Sequence, residues 1–180
     1  MKLLAPLGID AQSKRDRDRA KTLVTQADKA YSARNYREAA DKYGEATVLV
    51  PTNPEVYYKK GFAHFNLKEN EKAVEALTMS LTQGYKPLEI YRLRHYIHFQ
   101  DKNYDAALTD VDKGLALAPN DISMLTARGE ILTERKNYTE ALTVFEKILK
   151  AAPNSADTYY NVARIHYATG NKAAQATAAQ

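Results

Sequence analysis

Histidines are the side chains in this sequence best suited to binding a metal or moving a proton, and there are four of them: His64, His95, His98 and His166. His95 and His98 are three residues apart, which places both on one face if that segment is helical. No Cys, Asp or Glu at close spacing completes a metal site around them. The step from His98 to His166 is twice the step from His64 to His98, a regularity that favours a packing role. We therefore expect no bound metal.

The sequence offers little else that catalysis could use. Cysteine is absent, which excludes disulfides, thiolate metal sites and thiol catalysis. There is no Gly-x-Ser-x-Gly, no His-Glu-x-x-His, and no phosphate-binding or calcium-binding loop. The Tyr and Ser residues have no adjacent base that would activate them as nucleophiles. The sequence predicts a protein that is not an enzyme, with no catalytic residue and no cofactor.

The composition favours a folded chain with protein partners. Hydrophobic residues make up 44% and charged residues 27% of the 180 residues, which are ordinary values for a globular protein. The net charge of +4 is small for a nucleic-acid-binding protein, and no segment approaches the roughly 20 apolar residues of a membrane span. We expect no nucleic-acid partner and no membrane span. The apolar start, residues 3–9 after Lys2, leaves two compartments open: the cytoplasm, slightly preferred, or export to the periplasm with a clipped signal peptide.

An internal repeat in the sequence predicts the secondary structure that would position these side chains. Residues of similar size and polarity recur at a constant step of 34 in the numbering, and each such series is called a column. The alanine column is Ala39, Ala73, Ala107 and Ala141, and the bulky column four residues later is Tyr43, Leu77, Val111 and Phe145. A column of small residues, interrupted once, is Ala27, Gly61, His95, Gly129 and Ala163. Prolines recur at 51, 119 and 153, and Tyr85 stands where the second unit would have its proline.

Each unit contains two segments with the helical spacing of apolar residues. In the fourth unit these are residues 122–135 and 138–151, separated by a turn at Lys136-Asn137. Pro153 ends the second segment, because proline cannot continue a helix. One such helical hairpin cannot bury its apolar face alone, so neighbouring units must stack. Ser13 is placed to cap the first helix of the chain.

These columns, together with Asn-Tyr pairs at 35–36, 103–104 and 137–138, resemble the tetratricopeptide repeat family over about residues 20–169. The resemblance implies an all-α fold, an α-solenoid of stacked antiparallel helix pairs in a right-handed superhelix. We expect a flexible segment at residues 1–13 and a repeat domain at 14–180. Its repeats would cover about 20–53, 54–87, 88–121 and 122–155, with a partial fifth at 156–180. His95 departs from the family's small residue, so helix packing in the third repeat should be locally wider or rotated.

The resemblance also implies where a ligand would bind, because the first helices of such repeats line a concave groove. The predicted groove residues are Tyr58, Lys59, Phe62, Arg92, Leu93, Tyr96, Tyr160 and Arg164. They combine aromatic rings with basic side chains, and aromatic residues and Arg are prominent in binding hot spots. A second set of aromatic residues lies near the helix ends and is expected to fill the core between repeats: Tyr31, Phe65, Phe99 and Tyr167.

What the resemblance implies for function is a non-catalytic protein-interaction scaffold, working within a multiprotein complex. The predicted groove suits a peptide segment with aromatic or aliphatic anchors and some acidic character. Binding of a chaperone's C-terminal carboxylate is not expected, because Asp28 and Glu89 stand among the positions that the family uses for it. Two alternatives stay open. One is a self-assembling or structural subunit that docks through convex faces and solenoid ends, and the other, less favoured, is RNA binding.

Overall fold

The computed structural model describes residues 13–170, and all regular structure in that range is α-helical. The helices are α1 (Lys14–Ser32), α2 (Tyr36–Leu49), α3 (Pro54–Asn66), α4 (Asn70–Thr82), α5 (Pro87–Gln100), α6 (Tyr104–Leu117), α7 (Ile122–Glu134), α8 (Tyr138–Ala151) and α9 (Ala156–Ala168). The all-α prediction is confirmed. The two helices predicted in the fourth unit are confirmed to within one residue. The expectations for the N-terminal segment, apart from Ser13, and for residues 171–180 lie outside the described residues.

Helix ends follow from residues that satisfy the free backbone groups there. The Ser13 hydroxyl accepts a hydrogen bond from the Asp16 amide at 3.1 Å, which confirms the predicted N-cap of α1. The first helix of each of the four pairs is followed by a basic residue in the left-handed region. These residues are Arg34, Lys68, Lys102 and Lys136, with φ between 57° and 61°. The left-handed residue reverses the chain, so that the second helix starts two residues later.

The repeat columns form the buried contacts between helices. All four residues of the alanine column are 0% exposed, and the four bulky residues that follow them are 0–2% exposed. The small column explains how the helices approach so closely. A β-carbon built on Gly61 would lie 2.7 Å from Cγ of Leu77, closer than real side chains come. The predicted register of the repeat is therefore confirmed.

The chain divides between Lys86 and Pro87 into two compact units, called unit 1 and unit 2. In unit 1, helices α1 to α4 pack in sequence, and one core contains Ala27, Ala39 and Tyr43. In unit 2, α5 to α9 pack around two clusters, one including Val111 and the other Phe145. The predicted boundaries of the repeat domain and of its repeats stay predictions.

Candidate functional site

The predicted groove residues are divided between the two units. Tyr58, Lys59 and Phe62 lie on α3 of unit 1. Those of unit 2 lie on α5 and α9, and they are Arg92, Leu93, Tyr96, Tyr160 and Arg164. Each unit therefore carries its own part of the candidate site.

Unit 1 has a pocket of about 350 Å³ that contains all three of its predicted residues. Its lining residues, here called the unit 1 pocket, are Asp28, Tyr31, Ser32, Tyr43, Tyr58, Lys59 and Phe62. They come from α1, α2 and α3, so the packing of these three helices creates the pocket. Sequence reasoning favoured packing for Tyr31, although its spacing faces the groove, and placed Tyr43 in a core column; it gave no signal for Ser32.

Charged and polar groups in the unit 1 pocket are bonded to one another. The Tyr43 hydroxyl donates to Asp28 Oδ1 at 2.5 Å, and Lys59 Nζ donates to Asp28 Oδ2 at 2.9 Å. Lys59 Nζ also lies 3.3 Å from Glu55 Oε1. Burial acts to lower the pKa of Lys59, but the bonds to these two carboxylates outweigh it, and the pKa is raised. Burial, and next the bond to Asp28, raise the pKa of Tyr43. Lys59 therefore stays a cation and Tyr43 a neutral donor.

Aromatic rings form the walls of the unit 1 pocket and are held by further contacts. The rings of Tyr58 and Phe62 lie 4.8 Å apart, and Tyr58 also meets Tyr85 edge-on at 5.5 Å. The Tyr31 hydroxyl accepts a hydrogen bond from Asn66 Nδ2 at 3.0 Å. These contacts restrict the rings before any ligand arrives.

Two residues beside the unit 1 pocket were not predicted as part of the site. The Nζ atom of Lys86 lies 5.1 Å from the centre of the Tyr58 ring and 5.4 Å from that of Tyr85. A cation at this distance from the face of an aromatic ring is attracted electrostatically by the π electrons of the ring. The only signal in the sequence was the missing proline of the second repeat, whose place Tyr85 takes.

On α5 of unit 2, the three predicted residues differ in exposure. Arg92 is exposed and forms an ion pair with Asp121. Burial acts to raise the pKa of Asp121, but hydrogen bonds from Ser123, the Met124 amide and Arg92 outweigh burial and lower this pKa to about 2. Leu93 is half-buried. The Tyr96 side chain is 45% exposed, and its hydroxyl accepts a hydrogen bond from Gln100 Nε2 at 2.7 Å.

On α9, the predicted residues Tyr160 and Arg164 line a second pocket, of about 530 Å³. Arg164 lies 3.1 Å from Glu134 Oε1, and its guanidinium carbon is 6.0 Å from the centre of the Tyr160 ring. Tyr160 is 66% exposed and Tyr167 is 79% exposed. The expectation that Tyr167 fills the core is wrong, since it lies on the last helix of the described range. Tyr31 and Phe99 do pack against buried clusters.

Two further findings concern residues 13–170 as a group. No cluster of three or more His, Asp or Glu side chains in that range could hold a metal ion. None of the described helices combines the length and the apolar character needed to cross a membrane.

Comparison with known families gives two matches, one near each end of the chain. The family described as "TPR repeat" matches residues 28–68, and the family described as "Tetratricopeptide repeat" matches residues 132–178. Both fall in segments where the repeat columns and paired helices are found. The chain is a tetratricopeptide repeat protein.

Among curated proteins, this tetratricopeptide repeat chain is similar to the Small glutamine-rich tetratricopeptide repeat-containing protein 2 of Saccharomyces cerevisiae. The two are 38% identical over 66 residues, which is 37% of this chain. The matched part spans 18% of the yeast protein's length.

Several solved structures share the fold of this chain. YrrB, described as a TPR protein with an unusual peptide-binding site, superposes with a TM-score of 0.77 at 18% identity, over 95% of this chain and 90% of that one. MamA of Desulfovibrio magneticus RS-1 gives a TM-score of 0.77 at 19% identity, over 90% of each chain. A tetratricopeptide repeat protein from Parabacteroides merdae gives 0.82 at 19% identity, over 89% of this chain and 64% of that chain. The predicted solenoid class is confirmed.

The basic residues predicted for the groove of this tetratricopeptide repeat protein share one property. Lys59, Arg92 and Arg164 each form an ion pair with a carboxylate of their own unit. The sequence could not show this, because each of these partners is distant along the chain. The positive charge expected to attract an acidic ligand is thus balanced within the protein at all three positions.

Proposed function

We propose that this chain is a non-catalytic protein-interaction scaffold whose unit 1 pocket binds an aromatic or aliphatic side chain from a segment of a partner protein. The observation that supports this most is the pocket itself. Tyr31, Tyr58 and Phe62 surround a space of about 350 Å³ on the surface of unit 1. Pockets of this size that are lined by aromatic rings commonly hold small apolar groups.

An uncharged side chain suits the unit 1 pocket better than a charged one. Asp28 already accepts from Tyr43 and Lys59, and Lys59 already contacts a second carboxylate. A charged side chain entering the pocket would lose its hydration without meeting an unbalanced opposite charge. An apolar side chain gains about 25 cal/mol for each Å² that it removes from water.

The held rings also favour binding. Ordering a side chain at an interface costs about 0.5–1.5 kcal/mol. Tyr58 already contacts Phe62 and Tyr85, and Tyr31 is hydrogen bonded to Asn66, so part of that cost is met during folding. The similarity in fold to YrrB, a protein described as having a peptide-binding site, agrees with a peptide ligand.

The proposal extends to the predicted groove residues of unit 2, which would contact other parts of the same partner within a larger complex. Tyr160 and Tyr96 expose large aromatic surfaces, and Arg164 lies beside Tyr160. Exposed Tyr and Arg side chains are typical of binding hot spots. The ion pairs of Arg92 with Asp121 and of Arg164 with Glu134 fix the two guanidinium groups in place.

The experiment that tests the unit 1 pocket selects peptides from a random library on the immobilised full chain. The selected peptides are then titrated against wild type and Tyr58→Ala/Phe62→Ala by fluorescence anisotropy. We expect the double variant to weaken binding by at least tenfold. Circular dichroism establishes that each variant is folded.

A matched control removes apolar surface from unit 1 outside the pocket. Val48→Ala/Met79→Ala truncates two side chains that are 80% and 41% exposed. This variant should change the affinity by less than about twofold, the range of ordinary surface substitutions. Equal losses in both double variants, or none in either, would contradict the proposed pocket.

Self-assembly is the second candidate, and the same exposed residues favour it. Val48 lies on α2 and Met79 on α4, the second helix of each pair in unit 1. Exposed apolar side chains on these helices could meet a second copy of the chain. Sedimentation velocity over a range of concentrations tests this. A mass that rises with concentration in wild type but not in Val48→Glu would support self-assembly, and a constant monomer mass would reject it.

A further inference from the structure

We infer that Tyr85 and Lys86 form a second subsite beside the unit 1 pocket, which selects a partner segment carrying Asp or Glu two residues from its apolar anchor. This inference rests on the proposed function, because it takes the unit 1 pocket as the place of the anchor. Tyr85 and Lys86 lie in the loop that follows α4, and neither is among the predicted groove residues.

The loop turns the Tyr85 ring onto α3. Gly84 has a φ of 77° and Lys86 a φ of 40°, so the chain bends on both sides of Tyr85. The Tyr85 amide bonds to the Ser80 carbonyl at 3.3 Å, which ties the loop to α4. The other repeats have Pro51, Pro119 and Pro153 in this column, none of which could supply an aromatic ring.

The Lys86 ammonium group differs from the basic residues of the predicted groove. Its Nζ lies over the rings of Tyr58 and Tyr85, at 5.1 and 5.4 Å from their centres. In the described part of unit 1, no carboxylate forms a salt bridge with it, whereas Lys59 has two. Contact with rings holds the ammonium group in place without neutralising it. Its charge therefore remains available to a ligand.

Tyr58 connects the two subsites. It lines the unit 1 pocket, and the same ring contacts Tyr85 and Lys86. Consecutive residues of an extended segment are about 3.3 Å apart along its axis. Side chains two residues apart in such a segment lie on the same face, so a carboxylate two residues from an anchor in the pocket can approach Lys86. The partner class is thus an acidic protein segment with an apolar anchor, and its acid is bound by Lys86 instead of the basic residues predicted from the sequence.

The test uses three peptides that differ only in charge around one phenylalanine. The first is acetyl-Glu-Ser-Phe-Ser-Glu-amide, in which an acid lies two residues from the anchor on each side, and the other two replace both Glu residues by Gln or by Lys. Each is titrated into the full chain at about 50 mM and 500 mM salt, and binding is measured by isothermal titration calorimetry. We expect wild type to bind the Glu peptide two- to fivefold more tightly than the Gln peptide, and the Lys peptide most weakly. High salt should reduce these differences.

Charge reversal at the loop provides the decisive variant. Lys86→Glu should reverse the order, so that the Lys peptide binds most tightly. The matched control is Lys68→Glu, which makes the same change at another exposed lysine of unit 1 with a positive φ, 61°. The control should keep the wild-type order. Reversal in both variants would show that only the net charge matters, and would overturn the inference.

The failure of this inference can be told apart from failure of the proposed function. If the three peptides bind equally to wild type, and Tyr58→Ala/Phe62→Ala weakens all of them, the pocket stands and the role of Lys86 is rejected. If none of the peptides binds, or if binding does not respond to that double variant, both proposals are rejected.

Discussion

Gly129 on α7 faces the ring of Phe145 on α8 so closely that a β-carbon at residue 129 would lie 2.5 Å from Cζ of that ring. Phe145 is 0% exposed, so its ring has no solvent to move into. We expect Gly129→Ala to lower the free energy of unfolding by about 1–3 kcal/mol, the usual cost of overpacking a core. Urea unfolding followed by circular dichroism measures it.

Gly44 provides the opposite case on α2. A β-carbon built there meets nothing within 4 Å. Gly44→Ala should therefore raise the free energy of unfolding by roughly 0.5–1 kcal/mol, because alanine loses less backbone freedom in a helix than glycine does. A higher free energy of unfolding in Gly129→Ala, or a lower one in Gly44→Ala, would show that the columns do not mark the close helix contacts.

The sequence predicted these contacts because close packing requires a small residue wherever a large one enters. Gly61 meets Leu77 and Gly129 meets Phe145, and the two pairs have the same offset in sequence. His95 has Val111 at that offset, the smallest of the four bulky residues. His95 is half-buried, with Nδ1 3.1 Å from the Tyr91 carbonyl oxygen. The wider helix packing expected there stays a prediction.

The candidate site was less predictable, because residue type and spacing do not determine which charges meet. Helical spacing indicated that Tyr58, Lys59 and Phe62 lie near one another, and the unit 1 pocket contains all three. The pairing of Lys59 with Asp28 depends on where α1 and α3 lie in the folded unit, and periodicity does not encode side-chain rotamers. The position of the Tyr85 ring depends on an irregular loop, where the repeat no longer applies.

A buried ion pair replaces apolar packing in the third helix pair. Asp110 is 1% exposed and Arg94 Nε lies 3.1 Å from its Oδ2, whereas Ala76 and Val144 fill the same column in the second and fourth pairs. We expect Arg94→Met to destabilise the protein by about 3–5 kcal/mol, since it leaves a buried carboxylate without its cation. Removing both charges in Arg94→Met/Asp110→Ala should return the stability to within roughly 1 kcal/mol of wild type or above it.

The control for this pair is an ion pair at the surface of the same unit. Arg135 lies 3.1 Å from Asp105, and their side chains are 42% and 85% exposed. Arg135→Met should cost less than about 1 kcal/mol, as exposed pairs do. Denaturant titration of wild type and the three variants measures the free energy of unfolding of each. If Arg94→Met cost no more than Arg135→Met, or if the double variant were no more stable than Arg94→Met, the buried pair would not act as described.

Glu69 makes the stability of unit 1 depend on pH in the acid range. Hydrogen bonds from Arg37 and then His64 lower the pKa of Glu69 from 4.5 to about 2. Because the pKa of the folded state lies below that of the unfolded state, Glu69 stabilises the protein above about pH 4.5, and this contribution is lost as the pH falls toward 2. We expect Glu69→Gln to lower stability at neutral pH and to flatten the stability profile between those two pH values.

Unfolding by urea at a series of pH values from 7 down to about 2.5 measures that profile. Glu71→Gln serves as the control, since Glu71 is exposed on the first turn of α4 and carries the same charge. Its profile should follow that of wild type. A Glu69→Gln profile as steep as that of Glu71→Gln would assign the acid sensitivity to other carboxylates.

Asp28 balances the charge of Lys59 in the unit 1 pocket, and its removal should change which peptides bind there. Asp28→Asn keeps the shape of the side chain and an oxygen that can accept from Tyr43, but it leaves Lys59 with Glu55 alone. The peptide acetyl-Glu-Ser-Phe-Ser-Glu-amide should then bind about two- to fivefold more tightly, while its Gln counterpart changes little. Asp41→Asn makes the same charge change at an exposed position of α2 and should have no such effect. Equal gains in both variants would show a response to net charge, and a loss in Asp28→Asn would mean that the Asp28 carboxylate itself contacts the peptide.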